Sequence, residues 1–307
     1  MTPVTLARSG LSGTILAGIG YGLGGYFLWG LSPVYFKAVG MAGVSPLELT
    51  AHRILFSFLL CAGLVLILGK GGEWRQVLTN AKLRLVLAAT SVFLLGNWLV
   101  FVWAIDRGQV MACSLGYYIN PLFAMLLGRL VLKERVSRLQ WGAIALAAAG
   151  VLVLILRAAD SGIWLALMIA VSWGGYALLR KLYPLDSLIG LTTETLVLFP
   201  AAIAYLLWLG GEGSGRYLTA DGWVVFLLVM AGPVTAAPLV LFAAGWRRLR
   251  MVTMSLLQFL SPSLQFLLAV LLWEEAFTDA HAVAFACIWG AIAIYSWNSW
   301  RIARRTG

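Results

Sequence analysis

Charge is scarce in this chain. Asp, Glu, Lys and Arg together make up 11% of its 307 residues, against about 25% in an ordinary soluble domain. Hydrophobic residues reach 62% and the mean hydropathy is +0.92. A soluble core of this length has no use for so much apolar surface, so lipid is expected to be the solvent for most of the chain. Histidine is nearly missing, with only His52 and His281, which leaves no HExxH-type metal cluster. The three cysteines, Cys61, Cys113 and Cys287, lie in apolar runs at spacings that fit no zinc site or disulfide frame; they read as small buried hydrophobes. No phosphate-cradling GxxxxGK[ST] loop is present, so ATP is not expected to drive anything here. There is no long linker, low-complexity tract or soluble domain. The net charge of +10 comes with no nucleic-acid motif and no continuous basic face, so a nucleic-acid partner is not expected. Neither is a cofactor or a metal.

What is present is a series of ten apolar runs, near 15–36, 47–68, 84–105, 110–132, 139–156, 161–180, 187–209, 222–245, 251–273 and 280–300. Each is close to the ~20 residues that a helix needs to cross a bilayer. Connectors are short, so successive helices are expected to run antiparallel. With the amino terminus placed inside, only Lys37, Arg107, Arg157 and Arg216 fall on the outer side, and Arg53 lies within a run. Every other Lys and Arg falls on the inner side, so the positive-inside bias predicts two cytoplasmic termini. Residues 1–14 form a short cytoplasmic segment and 301–307 a basic tail. No A-x-A-like cleavage site is apparent, and the first run is expected to be retained as a span.

The chain also resembles itself. Trp29-Gly30 with Lys37 matches Trp173-Gly174 with Lys181, and LTAHRILF (49–56) lies over LTTETLVL (191–198). Pro121 lies over Pro262 and Glu134 over Glu275, all at an offset of about 141–144 residues. That offset holds five runs, an odd number, so the second unit (157–300) enters the membrane inverted relative to the first (15–156). An inverted repeat gives two equivalent rocking units around a site at their interface, the architecture of secondary transporters.

Particular stretches carry a family resemblance: LWGLSPVYFK (28–37), ELTAHRILFS (48–57), GNWLVFVWA (96–104), SLGYYINPL (114–122), KERVSRLQW (133–141), ETLVLFP (194–200), VTAAPL (234–239) and RLRMVTMSLLQFLSP (248–262). In these the sequence resembles the drug/metabolite transporter superfamily, with two EamA-type repeats, and within it the RarD subgroup. The resemblance covers about residues 20–300. It implies an all-α integral membrane protein of ten transmembrane helices, a central cavity between the repeats, and secondary transport in a bacterial-type inner membrane. It names no cargo.

Several polar residues stand out against the apolar background. Glu48, His52 and Arg53 fall in the outer third of the second run. Glu48 and His52 share a helix face at i,i+4, and an imidazole gains nothing in lipid, so His52 is expected to face a cavity as a hydrogen-bond donor or proton carrier. Glu194 occupies the repeat position of His52 and, with it, is a candidate for proton coupling; desolvation eases protonation of a buried carboxylate. The plainer alternatives are Arg53 reaching the outer head groups, Glu48 marking a helix start, and structural hydrogen bonds for His52 and Glu194. Asn97 lies about 18 Å into the third run at 1.5 Å per residue. Tyr118 and Asn120 reach a similar depth from the opposite side, as do Gln258 and Ser261 in the ninth run. Amides and phenols at that depth suit a polar or zwitterionic small molecule; interhelical hydrogen bonds are the alternative. Trp98, Trp103, Tyr117 and Trp173 are candidates for an aromatic lining, whereas Trp29, Trp141 and Trp289 read as packing or interfacial belt. Pro121, Pro233, Pro238 and Pro262 are expected to kink the fourth, eighth and ninth runs. Gly18, Gly20, Gly22 and Gly24 are expected to let the first helix approach a neighbour. Lys133, Glu134 and Arg135 read as a solvated charge run.

Two functional classes compete. The leading one is a gradient-driven exporter of small amphipathic metabolites such as amino acids, with drugs as incidental cargo, coupled to protons or to exchange. The other is an intramembrane enzyme that uses His52 with Glu48 or Glu194 as an acid/base pair. The expected partners are a small-molecule solute and membrane lipid, and the choice between monomer and homodimer stays open.

Overall fold

The computed structural model describes the backbone of residues 3–106, 110–157, 163–273 and 279–306. Side chains are described within these segments except at 3–12, 102–106, 110–115, 157, 163, 266, 269, 270, 273, 281, 296 and 299–306. The side chains of Trp103, Arg107, Cys113, Arg157, Glu275 and His281 therefore lie outside the described residues.

Lipid offers no partner for a free backbone N–H or C=O, so the chain satisfies both within helices. In order these are α1 (Pro3–Met41), α2 (Pro46–Ile67), α3 (Gly71–Thr79), α4 (Ala81–Asp106), α5 (Val110–Leu130), α6 (Arg138–Arg157), α7 (Ile163–Leu182), α8 (Ser187–Gly211), α9 (Gly222–Arg248), α10 (Met251–Gln258), α11 (Leu260–Trp273) and α12 (Asp279–Thr306), with a 3-10 turn at Arg216–Thr219. No strand occurs among the described residues. Seven described helical segments are long and apolar enough to cross a membrane: Gly13–Met41, Pro46–Ile67, Ala81–Phe101, Arg138–Leu156, Trp164–Leu182, Ser187–Gly211 and Gly222–Arg248.

Helix starts follow local chemistry. Ser45 accepts from the Glu48 N–H at the head of α2, with Pro46 in the first helical position, where its missing N–H costs nothing. Asp186 caps α8 through the Leu188 and Ile189 N–H groups, and Asp221 caps α9 through Val224 N–H. The ninth apolar run is split into α10 and α11 at Phe259. Pro262 explains the position of the split: it has no N–H to give, and its ring collides with the carbonyl four residues back, at Gln258. Pro121, Pro233 and Pro238 sit inside helices that continue through them. The short helix α3 occupies a stretch that the sequence reading left as connector.

Packing runs across the two halves of the chain. α1 lies against α9 and α11, α2 against α8 and α9, α4 against α7 and α8, α5 against α7 and α10, and α6 against α12. The core joins both halves, with Tyr26, Trp29, Trp98, Trp173, Tyr176, Phe242 and Trp246 in one cluster. Close approach of α1 uses a glycine stripe shifted from the expected one. Added Cβ atoms at Gly22 and Gly25 would meet Met254 Sδ at 2.9 Å and the Phe242 ring at 2.7 Å, whereas Gly20 faces open space and Gly24 is in ordinary contact. The contacting residues are Gly18, Gly22 and Gly25, an i, i+4, i+7 stripe set by helix geometry.

Candidate functional site

Two groups of buried polar residues centre on charged side chains, one on Glu48, His52 and Arg53 and one on Glu194. The first gathers at the end where α2 begins. Glu48 has both carboxylate oxygens occupied: Oε2 accepts from Arg216 N–H at 3.1 Å and Oε1 from Tyr217 N–H at 2.9 Å. It therefore pins the 3-10 turn to the start of α2. His52 places Nδ1 3.2 Å from the Glu48 main-chain carbonyl, and its ring packs on Phe56 and Tyr217. The imidazole thus meets the backbone of Glu48 and not its carboxylate, and no His52–Glu48 acid/base pair is formed.

Arg53 does not reach out to head groups. It is 3% exposed and turned into the bundle. Its Nε donates to Thr235 Oγ1 at 2.9 Å, and its guanidinium lies 4.5 Å from the Trp98 ring centroid and 5.1 Å from that of Phe36. Cation–π contact with desolvated rings is worth about 2 kcal/mol, against an insertion cost of about 2.5–3.5 kcal/mol for a central arginine. Among the described residues no ion pair involves Arg53. Its Nη2 has no hydrogen-bond partner, and neither does Trp98 Nε1.

The second cluster centres on Glu194, which is fully buried. Thr90 donates to Oε1 at 2.7 Å and Tyr176 to Oε2 at 3.4 Å; Arg180 Nη1 stands 3.8 Å from Oε1. Ser91 donates to the Glu194 main-chain carbonyl. Arg180, counted from sequence among the inner-connector cations, is instead 4% exposed. Gly190 makes room for it, because any Cβ there would fall within the guanidinium. Lys181 is likewise engaged and donates to the carbonyls of Trp246 and Leu249 at the end of α9.

Between the two clusters lies an aromatic stack. Trp29 and Trp173 face one another with ring centroids 6.3 Å apart, and Trp173 packs on Tyr176 at 5.5 Å and on Phe242 at 5.6 Å. Trp29, expected as packing or belt, is thus interior and paired with its own repeat counterpart. Among the described residues Trp173 Nε1 has no partner. Asn120, fully buried, likewise finds no described partner for its Oδ1 or its Nδ2, nor does Gln258 Oε1 beside the α10–α11 break. The other midplane candidates are engaged or packed. Asn97 donates to Ile169 O at 3.3 Å and Ser172 Oγ at 3.0 Å. Tyr118 Oη lies 3.5 Å from Pro262 O and its ring meets Phe285 edge-on. Tyr117 packs against Phe101, and Ser261 is buried with its carbonyl close to Gly30.

Sequence reasoning missed Arg180, Thr90, Tyr176 and Thr235. The first had a usable signal: an arginine at the last turn of an apolar helix, 14 residues before a lone intramembrane glutamate. In the KER run Lys133 and Arg135 are exposed, as a solvated run would be, but Glu134 is not. Glu134 accepts from Met251 N–H at 2.7 Å and Val252 N–H at 3.2 Å, which caps α10 from a distant part of the chain. Arg250, the local N-cap, offers no side-chain cap of its own.

Comparison with known proteins agrees with this architecture. Residues 16–156 match the model of the EamA-like transporter family. A protein described as an uncharacterized transporter from Vibrio cholerae is 43% identical over 283 residues, covering 91% of each chain. The protein RarD of Escherichia coli is 35% identical over 300 residues, covering 98% of this chain and 99% of that one. The chain belongs to the EamA-like transporter family, in its RarD branch. The EamA relationship places it in the drug/metabolite transporter superfamily as a multi-pass membrane protein. A known crystal structure aligns with a TM-score of 0.71 at 20% identity, covering 90% of this chain and 96% of that one; at that identity the likeness speaks for the fold alone.

Proposed function

We propose that this EamA-family chain is a secondary transporter that exports small amphipathic metabolites by alternating access, with no catalytic step. Ten spans, α10 and α11 forming one broken span, are arranged as two inverted five-helix units, 15–156 and 157–300, with both termini in the cytoplasm of a bacterial-type cell. The observation that carries the reading is a set of deeply buried polar atoms with no partner among the described residues: both amide atoms of Asn120, Gln258 Oε1, Trp173 Nε1, Trp98 Nε1 and Arg53 Nη2. An unsatisfied buried polar group costs about 1–3 kcal/mol, and so many in one bundle are hard to reconcile with a purely structural interior. A cargo that bonds them in passing removes the difficulty.

The repeat supports the same reading. Exchanging α1 with α7, α2 with α8, α4 with α9, α5 with α10–α11 and α6 with α12 turns the α1–α9 contact into α7–α4, and α2–α9 into α8–α4. The same exchange turns α5–α7 into α11–α1 and leaves α2–α8 and α6–α12 unchanged; every one of these contacts occurs. Such a bundle has two equivalent ways to close. Glu194 is the proposed coupling group: protonation would release Arg180, and the pair can form or break as the cycle turns.

The test is counterflow. Purified protein in liposomes loaded with an unlabelled solute should accumulate the labelled form, and Asn120→Ala should abolish the accumulation while leaving folding intact. Glu194→Gln should carry out exchange but lose dependence on a proton gradient. A variant with Glu194→Gln that keeps full proton-driven flux would rule out the coupling assignment.

A further inference from the structure

We infer that the cargo is a monovalent organic carboxylate with an apolar or aromatic body, gripped by Arg53 and Trp98. The inference rests on the transport reading above and sharpens it, because the sequence pattern alone suits a neutral or zwitterionic ligand.

Arg53 carries a permanent charge and five N–H donors with no acceptor. Its Nε is used by Thr235, while Nη2 has no partner. The neighbouring Trp98, whose ring sits 4.5 Å from the guanidinium carbon, offers a second unused donor and likewise no acceptor. Tyr117 and Tyr35 both interact electrostatically with Arg53, and the Tyr35 hydroxyl donates to Leu227 O at 2.8 Å. Two orphaned donors, one of them cationic, call for a ligand that only accepts and bears negative charge. A carboxylate does both, and guanidinium binds it in a two-point geometry.

The surroundings set the charge and the body. The two carboxylates buried among the described residues are committed: Glu48 to the Arg216 and Tyr217 amides, and Glu194 to Thr90, Tyr176 and Arg180. An ammonium beside the carboxylate would find no described anion to pair with, which disfavours a zwitterion. A doubly charged phosphate would leave one charge uncompensated in a low-dielectric site. Phe36 and Trp98, whose rings lie against the guanidinium, make the surroundings of the site aromatic and suit an apolar body.

The experiment uses matched probes on purified full-length protein: 3-phenylpropanoate, 3-phenylpropanamide, phenylalanine and 2-phenylethylphosphonate, with affinity read by thermal shift and calorimetry. The acid should bind at least about tenfold more tightly than each of the other three. Arg53→Met should lose this preference and Arg53→Lys should retain part of it, with each variant first checked for a monodisperse, cooperatively melting fold. If the amide, the zwitterion or the phosphonate binds as well as the acid, or if no probe binds, the assignment is overturned. If Arg53→Met melts lower without ligand but keeps the acid preference, Arg53 is structural and the assignment is again overturned. Carrier function is read separately by counterflow, so a protein that exchanges another solute class would keep the transport reading and lose this one.

Discussion

Glu194 shows how a single buried side chain can be over-determined. One hydroxyl, one phenol and one guanidinium converge on its two oxygens. Removing one member of such a buried pair strands the other charge and costs about 3–5 kcal/mol. Glu194→Ala is therefore expected to lower the melting temperature sharply, whereas the double variant Glu194→Ala/Arg180→Leu should recover much of the loss; equal melting of single and double variants would contradict the pairing. Gly190→Ala should act like the loss of Arg180, because no Cβ fits beside its guanidinium, while Gly20→Ala, facing open space, should leave melting unchanged. At this scale the sequence marked the polar residues but not their partners. His52, Arg53 and Glu194 were visible because charge is rare in the apolar runs. Thr90, Tyr176 and Thr235 were not, since a hydroxyl in a helix looks the same whether it bonds its own turn or a neighbouring helix.

Among the elements, the break between α10 and α11 and its remote cap are the points most open to test. Glu134 supplies two backbone bonds that no local side chain provides, and loss of such a cap costs about 0.5–2 kcal/mol. Glu134→Ala should show that loss as reduced melting and as faster amide exchange at Met251 and Val252; unchanged exchange there would count against the cap. The head of α8 carries a pH-dependent contact. Burial would raise the Asp186 carboxyl, but the Lys70 hydrogen bond, the Ile189 and Leu188 N–H groups and the Lys70 charge outweigh it and hold it below the ordinary carboxylate range. A depressed carboxyl stabilises the fold fully above its unfolded pKa, about 3.9. That contribution fades as pH falls through the lower folded value. Lys70→Met should therefore lower stability at pH 7 by the pair's whole contribution, about 0–1 kcal/mol because both partners are partly exposed, and that loss should vanish as pH falls below about 4, which flattens the acid limb. Helix positions were legible from apolar run length and proline placement. The short α3 and the remote cap were not, as neither has a periodic signal strong enough to rise above a polar connector.

The whole molecule is held together by contacts between its halves. Helix ends from distant parts of the chain meet: Lys70 pairs with Asp186, Glu134 accepts from the start of α10, and Glu48 accepts from the turn before α9. The internal repeat in the sequence pointed to two units and a shared interior. It could not say that Trp29 and Trp173, equivalent by repeat, would stack on one another in that interior, because an offset between two stretches carries no distance between them. The most direct measurement of the central claim is two-sided labelling of Ser261→Cys in a background with Cys61, Cys113 and Cys287 replaced by serine. Using a membrane-impermeant maleimide on oriented vesicles and whole cells, the account predicts reaction from both faces, each blocked when the protein is locked with saturating solute. Reaction from neither face, or from one face only under every condition, would contradict it.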